Sequence, residues 1–140
     1  MTVKGLHEAL KAVVGIVADN HSAGTVNGTV FDTKDYDEAL IIVNSGANGS
    51  SGTLDIKVQE GQETDLSDAA DISGAAFTQI TEANDNTIYV GRVQCKNYER
   101  YMRIVAVIAT AACDAGVTVL LGKFDGLAPV AQVNTTEFNV

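Results

Sequence analysis

The chain has 140 residues and carries nine basic against 18 acidic side chains, which gives a formal net charge of −9 at pH 7. This length suits one domain, and a hydrophobic content of 46% is enough to build a core, which excludes wholesale disorder. The acidic balance argues against nucleic acid, which demands clustered Lys and Arg, and against an anionic membrane surface.

Targeting segments and disulfides are not expected. The longest apolar stretches, 104–112 and 117–121, are shorter than the roughly 18–20 residues of a membrane helix, and residues 1–20 lack a convincing signal-peptide cleavage site. Two cysteines make no disulfide framework. If the segments around Cys95 and Cys113 formed a hairpin, their separation would be roughly 40 Å, too long for a disulfide. We therefore expect two buried reduced thiols and an intracellular origin.

The N-terminal segment carries two competing signals. Apolar residues between Leu6 and Val17 recur at helical spacing, which favours an amphipathic helix over residues 5–18. The β-branched run 13–17 favours a strand instead. We predict that residues 1–18 form an arm or short helix leading into the first strand.

The rest of the chain alternates short apolar runs with turn residues, which is typical of strands. Residues 54–58 show the alternation of a strand with one wet face, whereas 101–110 is apolar on both faces and should be a central strand. The other predicted strands lie at 25–31, 39–43, 77–80, 87–95 and 117–121. This pattern predicts an all-β fold, an antiparallel β-sandwich or jelly roll of seven to eight strands over residues 19–124.

Two connecting regions carry specific predictions. Residues 38–60 are predicted to form a β-hairpin, because Asn48-Gly49 suits a tight turn. The surrounding stretch 46–52 is rich in glycine but has no Lys and no following helix, so it is a turn and not a phosphate loop. An extended C-terminal tail, 125–140, carries isolated apolar residues such as Val130, Val133 and Phe138, and is either frayed or docked on a neighbour.

The sequence contains no convincing catalytic or metal-binding pattern. His7 and His21 lack a third ligand at metal spacing, and both are expected at the surface. The acidic loop 60–71 is the best calcium candidate, but it lacks the Asp-x-Asp-x-Asp-Gly order, which favours a solvated loop. Its carboxylates belong to Glu60, Glu63, Asp65, Asp68 and Asp71. We predict no catalytic, cofactor-binding or metal-binding residues and a protein that is not an enzyme.

Aromatic and basic residues cluster around one predicted turn. The cluster consists of Tyr98, Arg100, Tyr101 and Arg103. A guanidinium stacked on tyrosine, or forked to a carboxylate such as Asp35 or Asp37, would join strand ends. The same cluster could bind a partner, and we favour the structural role.

Several motifs over residues 25–129 resemble one family. They are Asp35 to Leu40 opening a hydrophobic strand, a Gly/Ser-rich turn, an alternating strand from Gly52-Thr53 to Gln59-Glu60, Tyr89-Val90-Gly91, the strand Arg100-Tyr101-Met102-Arg103-Ile104, Gly122-Lys123 and Pro129. This layout resembles small β-sandwich head decoration or cement proteins of tailed bacteriophages. The chain departs from that pattern at 61–64, where the family often has an aromatic residue and Asp-Asp, and in its longer tail, 130–140.

The resemblance implies a function. It predicts a non-enzymatic virion structural protein, made in the host bacterial cytoplasm, that decorates and cements the capsid exterior by binding the major capsid protein. It also implies a homo-oligomer, for which a trimer would match three-fold lattice sites, with no nucleic-acid or membrane partner. The termini, 1–18 and 125–140, could supply the contacts. The alternatives are a head–tail junction or tail accessory protein, and, ranked lower, a glycan-binding β-sandwich module.

Overall fold

Strands dominate the computed structural model, which describes residues 5–123 and 136–140. A single helical turn, α1 (Leu6–Ala9), and two 3-10 turns (Glu82–Asn84 and Cys95–Asn97) are the helical elements of these residues. The strands are β1 (Leu10–His21), β2 (Gly24–Asn27), β3 (Phe31–Asp32), β4 (Glu38–Asn48), β5 (Thr53–Gly61), β6 (Ala70–Ala76), β7 (Ile80–Thr81), β8 (Thr87–Gln94), β9 (Tyr101–Ala109), β10 (Cys113–Gly122) and β11 (Thr136–Asn139).

The strands form two sheets packed face to face. Sheet A has the order β1-β10-β4-β8-β11, and sheet B has the order β2-β9-β5-β6, with β3 also paired to β9 and β7 to β5. All pairings are antiparallel except that of β11 with β8. Without β11, and with the short β3 and β7 counted as continuations of β2 and β6, this is an eight-stranded jelly roll. The predicted fold class is therefore confirmed.

The core lies between the sheets because each long strand buries alternate residues. Ile41 and Val43 of β4 face Leu54 and Ile56 of β5 across the sandwich, and all four are at most 2% exposed. Strand β9 is central in sheet B, as its two apolar faces predicted. Its inward residues Met102, Ile104, Ala106 and Ile108 all belong to the core.

The N-terminal segment is mostly strand. The helix is limited to one turn, and β1 begins at Leu10 and pairs with β10 along its whole length. A helix over residues 5–18 is therefore wrong, since the β-branched run 13–17 joins the sheet and Ile16 reaches the core. The predicted division between residues 18 and 19 falls inside β1, and residues 1–4 lie outside the described residues.

The predicted hairpin over residues 38–60 is wrong. Strand β4 lies in sheet A and β5 in sheet B, so the chain crosses between the sheets at 49–52. The connecting loop bonds across the sandwich end, where the Gly49 amide donates to the Ala112 carbonyl oxygen at 2.9 Å. The crossing is favoured because both strands carry an apolar face that has to be buried in the same core.

The C-terminal residues 136–140 return to sheet A. Strand β11 pairs in parallel with the edge strand β8, and Phe138 is buried in the core. The predicted tail 125–140 therefore ends in a strand docked within the same chain. Its other residues, including Val130 and Val133, lie outside the described residues.

Candidate interaction surface

The outer face of sheet A carries a patch of large apolar side chains, here called the apolar face. The strand register aligns them in adjacent rows, with Leu40 beside Leu120 and Ile42 beside Val90. Val14 and Ile88 extend the patch to either side and are 53% and 39% exposed. Leu40, Ile42 and Leu120 are half-buried, and Val90 is buried. Two exposed polar residues interrupt the margins of the patch, since Thr118 lies between Val14 and Ile42, and Asn44 lies opposite Ile88. A cluster of apolar side chains on an outer face marks an interaction site more often than scattered apolar residues do.

The outer face of sheet B carries more polar side chains than that of sheet A. Lys57 Nζ lies 2.8 Å from Asp71 Oδ2, and Gln59 donates to the other oxygen of the same carboxylate at 2.8 Å. Arg103 in turn donates to Gln59 Oε1 at 2.9 Å. These side chains form hydrogen bonds and an ion pair with one another, in a polar ladder that faces solvent. The outer face of sheet A therefore carries more large apolar side chains than that of sheet B, where Val105 and Val107 lie beside the polar ladder.

One ion pair borders the apolar face. Arg92 Nε lies 2.6 Å from Glu38 Oε2, and both side chains are about a quarter exposed, at 23% and 24%. Arg92 stands directly opposite Leu40 in the register. The pair gives the apolar face a polar margin, which resembles the rim of a protein–protein interface.

A shallow depression of about 560 Å³ adjoins the apolar face between β1 and β10. It forms because small residues, Ala18, Gly46 and Gly116, line it where β1 bulges away from regular pairing. Asn20 donates to Asp114 Oδ1 at 2.7 Å at its border. The depression offers a recess into which a partner side chain could project.

The helical turn α1 and the edge strand β1 expose further apolar residues of the predicted N-terminal arm. Leu6 is 76% exposed and Val17 is 63% exposed. Together with Val14 they line one margin of sheet A. Within residues 5–18 the arm therefore offers apolar contacts, and those of Val14 and Val17 lie on a strand that is paired in the sheet.

The histidines lie apart from each other and from any metal-ligand set within the described chain. His7 is exposed on α1, and His21 Nε2 lies 2.8 Å from the Val17 carbonyl oxygen, to which it donates. Residues 5–123 and 136–140 contain no group of three or more His, Cys, Asp or Glu side chains that could hold a metal ion.

Two carboxylates of the acidic loop, those of Asp65 and Asp68, hold the loop's own backbone. Asp68 accepts from the amides of Gln62 and Glu63 at 2.7 and 3.2 Å, and the first of these bonds lowers its pKa. Asp65 accepts from the Ser67 amide at 2.9 Å, which lowers its pKa too. With these groups engaged, the loop is arranged as a closed turn and not as an open cage of ligands.

The cluster around Arg100 joins strand ends, as the structural interpretation predicts. Its guanidinium forks to Asp32, with Nε 2.9 Å from Oδ1 and Nη2 2.8 Å from Oδ2, and lies 5.0 Å from the Tyr101 ring centroid. The partner carboxylate is thus Asp32, at the end of β3, and not Asp35 or Asp37. Asp37 pairs with Lys96 at 3.0 Å.

The two cysteines are free and buried, as expected. The hairpin premise behind that expectation is wrong, since β8 and β9 lie in different sheets. Burial raises the pKa of Cys95 to about 11 and also raises that of Cys113.

The apolar face was not among the predicted interaction residues. The signal was present at 39–43, where β4 is apolar on both sides. Such a pattern usually indicates a strand covered on both faces. Here only one face of β4 contacts the core, and the other lies on the apolar face.

Comparisons with known proteins add little beyond the fold. No protein-family model and no curated protein matches this chain. It is similar to a chain of a solved structure titled "Structure of infectious bursal disease virus Gx strain", at 8% identity and a TM-score of 0.49, over 80% of this chain and 31% of that chain. The chain thus spans less than a third of that neighbour's length. The jelly-roll assignment rests on the strand order, and the bacteriophage resemblance stays a prediction.

No helix among the described residues has the length and apolar character needed to cross a membrane.

Proposed function

We propose that this protein is a non-enzymatic virion structural protein that decorates and cements a tailed-bacteriophage capsid by binding the major capsid protein. The observation that carries the proposal is the two-faced jelly roll, in which sheet A presents the apolar face and sheet B a polar ladder. Jelly rolls are common among viral capsid proteins. The sequence motifs that resemble phage decoration proteins support the same role.

The apolar face suits docking on a repeated shell. A protein present in many copies has to stay soluble before assembly, and the net charge of −9 supplies mutual repulsion. Each copy then needs only a modest apolar contact, because oligomerisation on a symmetric lattice adds avidity. The capsid exterior, a homo-oligomer and synthesis in the bacterial cytoplasm are parts of this proposal.

Cryo-electron microscopy of purified virions tests the role directly. Ordered density at the lattice symmetry axes of the capsid exterior, in many copies and with sheet A towards the shell, would support it. Density confined to the portal vertex or tail, in few copies, would overturn the cement role and favour the junction alternative. Absence from particles would overturn both.

A matched pair of variants tests the surface. Ile88→Gln alters the apolar face, and Val107→Gln alters the outer face of sheet B at nearly equal exposure, 39% against 36%. We expect Ile88→Gln to weaken capsid binding about tenfold or more, which corresponds to about 1.4 kcal/mol, and Val107→Gln to leave it unchanged. Equal losses in both variants, or none in Ile88→Gln, would contradict docking through sheet A.

A further inference from the structure

Beside β8, at one edge of sheet A, the protein forms a binding site for an extended strand, here called the β11 seat. It consists of the β8 backbone from Val90 to Gln94 together with Phe77, Gly74 and Gly91. In this chain the seat is filled by residues 136–140. Strand β11 pairs along β8, the Val140 amide donates to the Arg92 carbonyl at 3.0 Å, and the Gln94 amide donates to the Val140 carbonyl at 2.6 Å.

Side chains make the seat selective. Phe138 is 6% exposed and meets Phe77 edge to face, with ring centroids 4.7 Å apart. The ring lies directly over Gly91, where an added Cβ would overlap it. Val140 packs near Gly74, whose φ of +82° keeps that backbone in a region suited to glycine. Backbone pairing with an aromatic pocket is the arrangement of strand-addition recognition sites.

The connection to β11 is longer than its route requires. The end of β10 lies three strand positions from β11, about 14 Å across the sheet. Through the register, Gly122 is level with Gln94 and Thr136 with Val90, which adds about 13 Å along the strands. The direct separation is thus about 20 Å, whereas residues 123–135 can span about 45 Å.

We propose that the β11 seat accepts the C-terminal strand of a second copy of this chain, so that neighbouring copies are linked by strand exchange. The contacts made in exchange are the same as those made within one chain, so the choice depends on local concentration. A covalent connection to the same chain supplies an effective concentration of the order of millimolar, which favours the intrachain strand in dilute solution. Copies crowded side by side favour exchange. Crowding of copies on a capsid rests on the proposed function, whereas the capacity for strand exchange does not.

Shortening the connection tests the exchange in solution. Deleting residues 125–133 from the full chain leaves a reach of about 17 Å, too short for β11 to return to its own seat. We expect light scattering after size-exclusion chromatography to show a mass larger by at least one protomer than that of the unmodified protein at equal concentration. The same deletion with Phe138→Ala is the control and should abolish the increase. An unchanged mass, or an increase that survives Phe138→Ala, would overturn the proposal.

A second measurement covers the case in which the deletion impairs folding. A dye-labelled peptide of residues 134–140 is titrated into the full-length Phe138→Ala variant, whose own strand is weakened. We expect a saturable rise in fluorescence anisotropy, and binding at least about tenfold weaker for the same peptide with Phe138→Ala, which lacks the side chain that fills the pocket. Equal binding of both peptides, or none, would overturn the proposal. Neither experiment involves a capsid, so the result is independent of the virion role.

Discussion

Two buried hydroxyl groups differ in whether they have a hydrogen-bond partner. Thr33 is 5% exposed, and its Oγ1 donates to the Arg100 carbonyl at 2.7 Å. Ser45 is 1% exposed, and its Oγ has no partner among the residues that the structure describes. The Thr33 hydroxyl links the end of β3 to the start of β9. The Ser45 hydroxyl has lost its hydrogen bonds to water without gaining one in the fold, which costs free energy.

We therefore expect opposite effects on the free energy of unfolding. Thr33→Val should lower it by about 1 kcal/mol, because a buried bond is lost and the Arg100 carbonyl loses that donor. Ser45→Ala should leave it unchanged or raise it by up to about 1 kcal/mol. Urea unfolding followed by circular dichroism measures both, and a larger loss in Ser45→Ala than in Thr33→Val would contradict this account.

The Asp32–Arg100 fork predicts a dependence of stability on pH. The hydrogen bond from Arg100 is the main reason that the pKa of Asp32 falls from 3.8 to about 2. A carboxyl whose pKa is lower in the folded state stabilises the fold above its unfolded pKa of about 3.9, and this contribution disappears as the pH falls towards 2. Asp32→Asn should therefore be less stable than the unmodified protein at pH 6, and the difference should be much smaller at pH 2 and vanish below it.

Urea unfolding at several pH values tests this prediction. Asp35→Asn is the matched control, because it removes an equal charge from the same turn and leaves both hydrogen bonds of the fork in place, although Asp35 also interacts electrostatically with Arg100. The pair is surface-exposed, so its effect should also shrink in high salt. A difference between Asp32→Asn and the unmodified protein that does not change between pH 6 and pH 2 would contradict the linkage.

The buried cysteines predict low thiol reactivity. Since the thiolate is the reactive form, a Cys95 pKa of about 11 leaves little of it at pH 8. We expect a chromogenic disulfide reagent to label no thiol in the native protein and both thiols in urea. Rapid labelling of either cysteine in the native protein would show that the core opens locally.

At the scale of elements, the packing of Phe138 over Gly91 determines whether β11 is held. Gly91→Ala should displace the ring and release the strand, which exposes the Gln94 amide and speeds its hydrogen exchange. Phe138→Ala should have the same effect by removing the anchor. Because both changes act on one contact, the double variant should be no less stable than the worse single variant. Additive losses in thermal unfolding would contradict this interpretation.

Periodicity predicts strands well and their partners poorly. The alternation at 54–58 and the two-sided apolar run at 101–110 identify β5 and the central β9 correctly, because both signals report burial of the residues themselves. The hairpin over 38–60 fails because a Gly-rich connection suits both a hairpin and a crossing between sheets. The destination depends on which strands share the core, and no local signal at Asn48-Gly49 contains that information.

The apolar face could not be predicted for the same reason, since it depends on which strands are partners. The apolar residues of the apolar face come from four strands, and only the register brings Leu40, Leu120 and Val90 into one patch. The sequence predicted that Arg100 forks to a carboxylate, but it named the wrong one. Asp32, Asp35 and Asp37 all lie in one polar turn. Choosing among them requires the pairing of β3 with β9.

At the scale of the whole molecule, charge and the apolar face oppose each other. The net charge of −9 keeps copies apart at neutral pH, but it approaches zero near the pI of about 4.4. We expect self-association to rise as the pH falls towards that value, and Ile88→Gln to reduce it more than Val107→Gln does. Static light scattering across the pH range measures this, and identical curves for the two variants would show that the apolar face takes no part.

The strand order also sets the timing of folding. Strand β1 pairs with β10, so the first strand to leave the ribosome waits for almost the whole chain before its partner exists. Strand β4 waits similarly, since its partners β8 and β10 come from the second half, whereas β5 pairs early with β6 and β7 and waits only for β9. Such non-local pairing is typical of folding in milliseconds to seconds rather than microseconds. Sheet A therefore cannot be completed until residue 122 has emerged, and the side chains that it buries lack their partners until then.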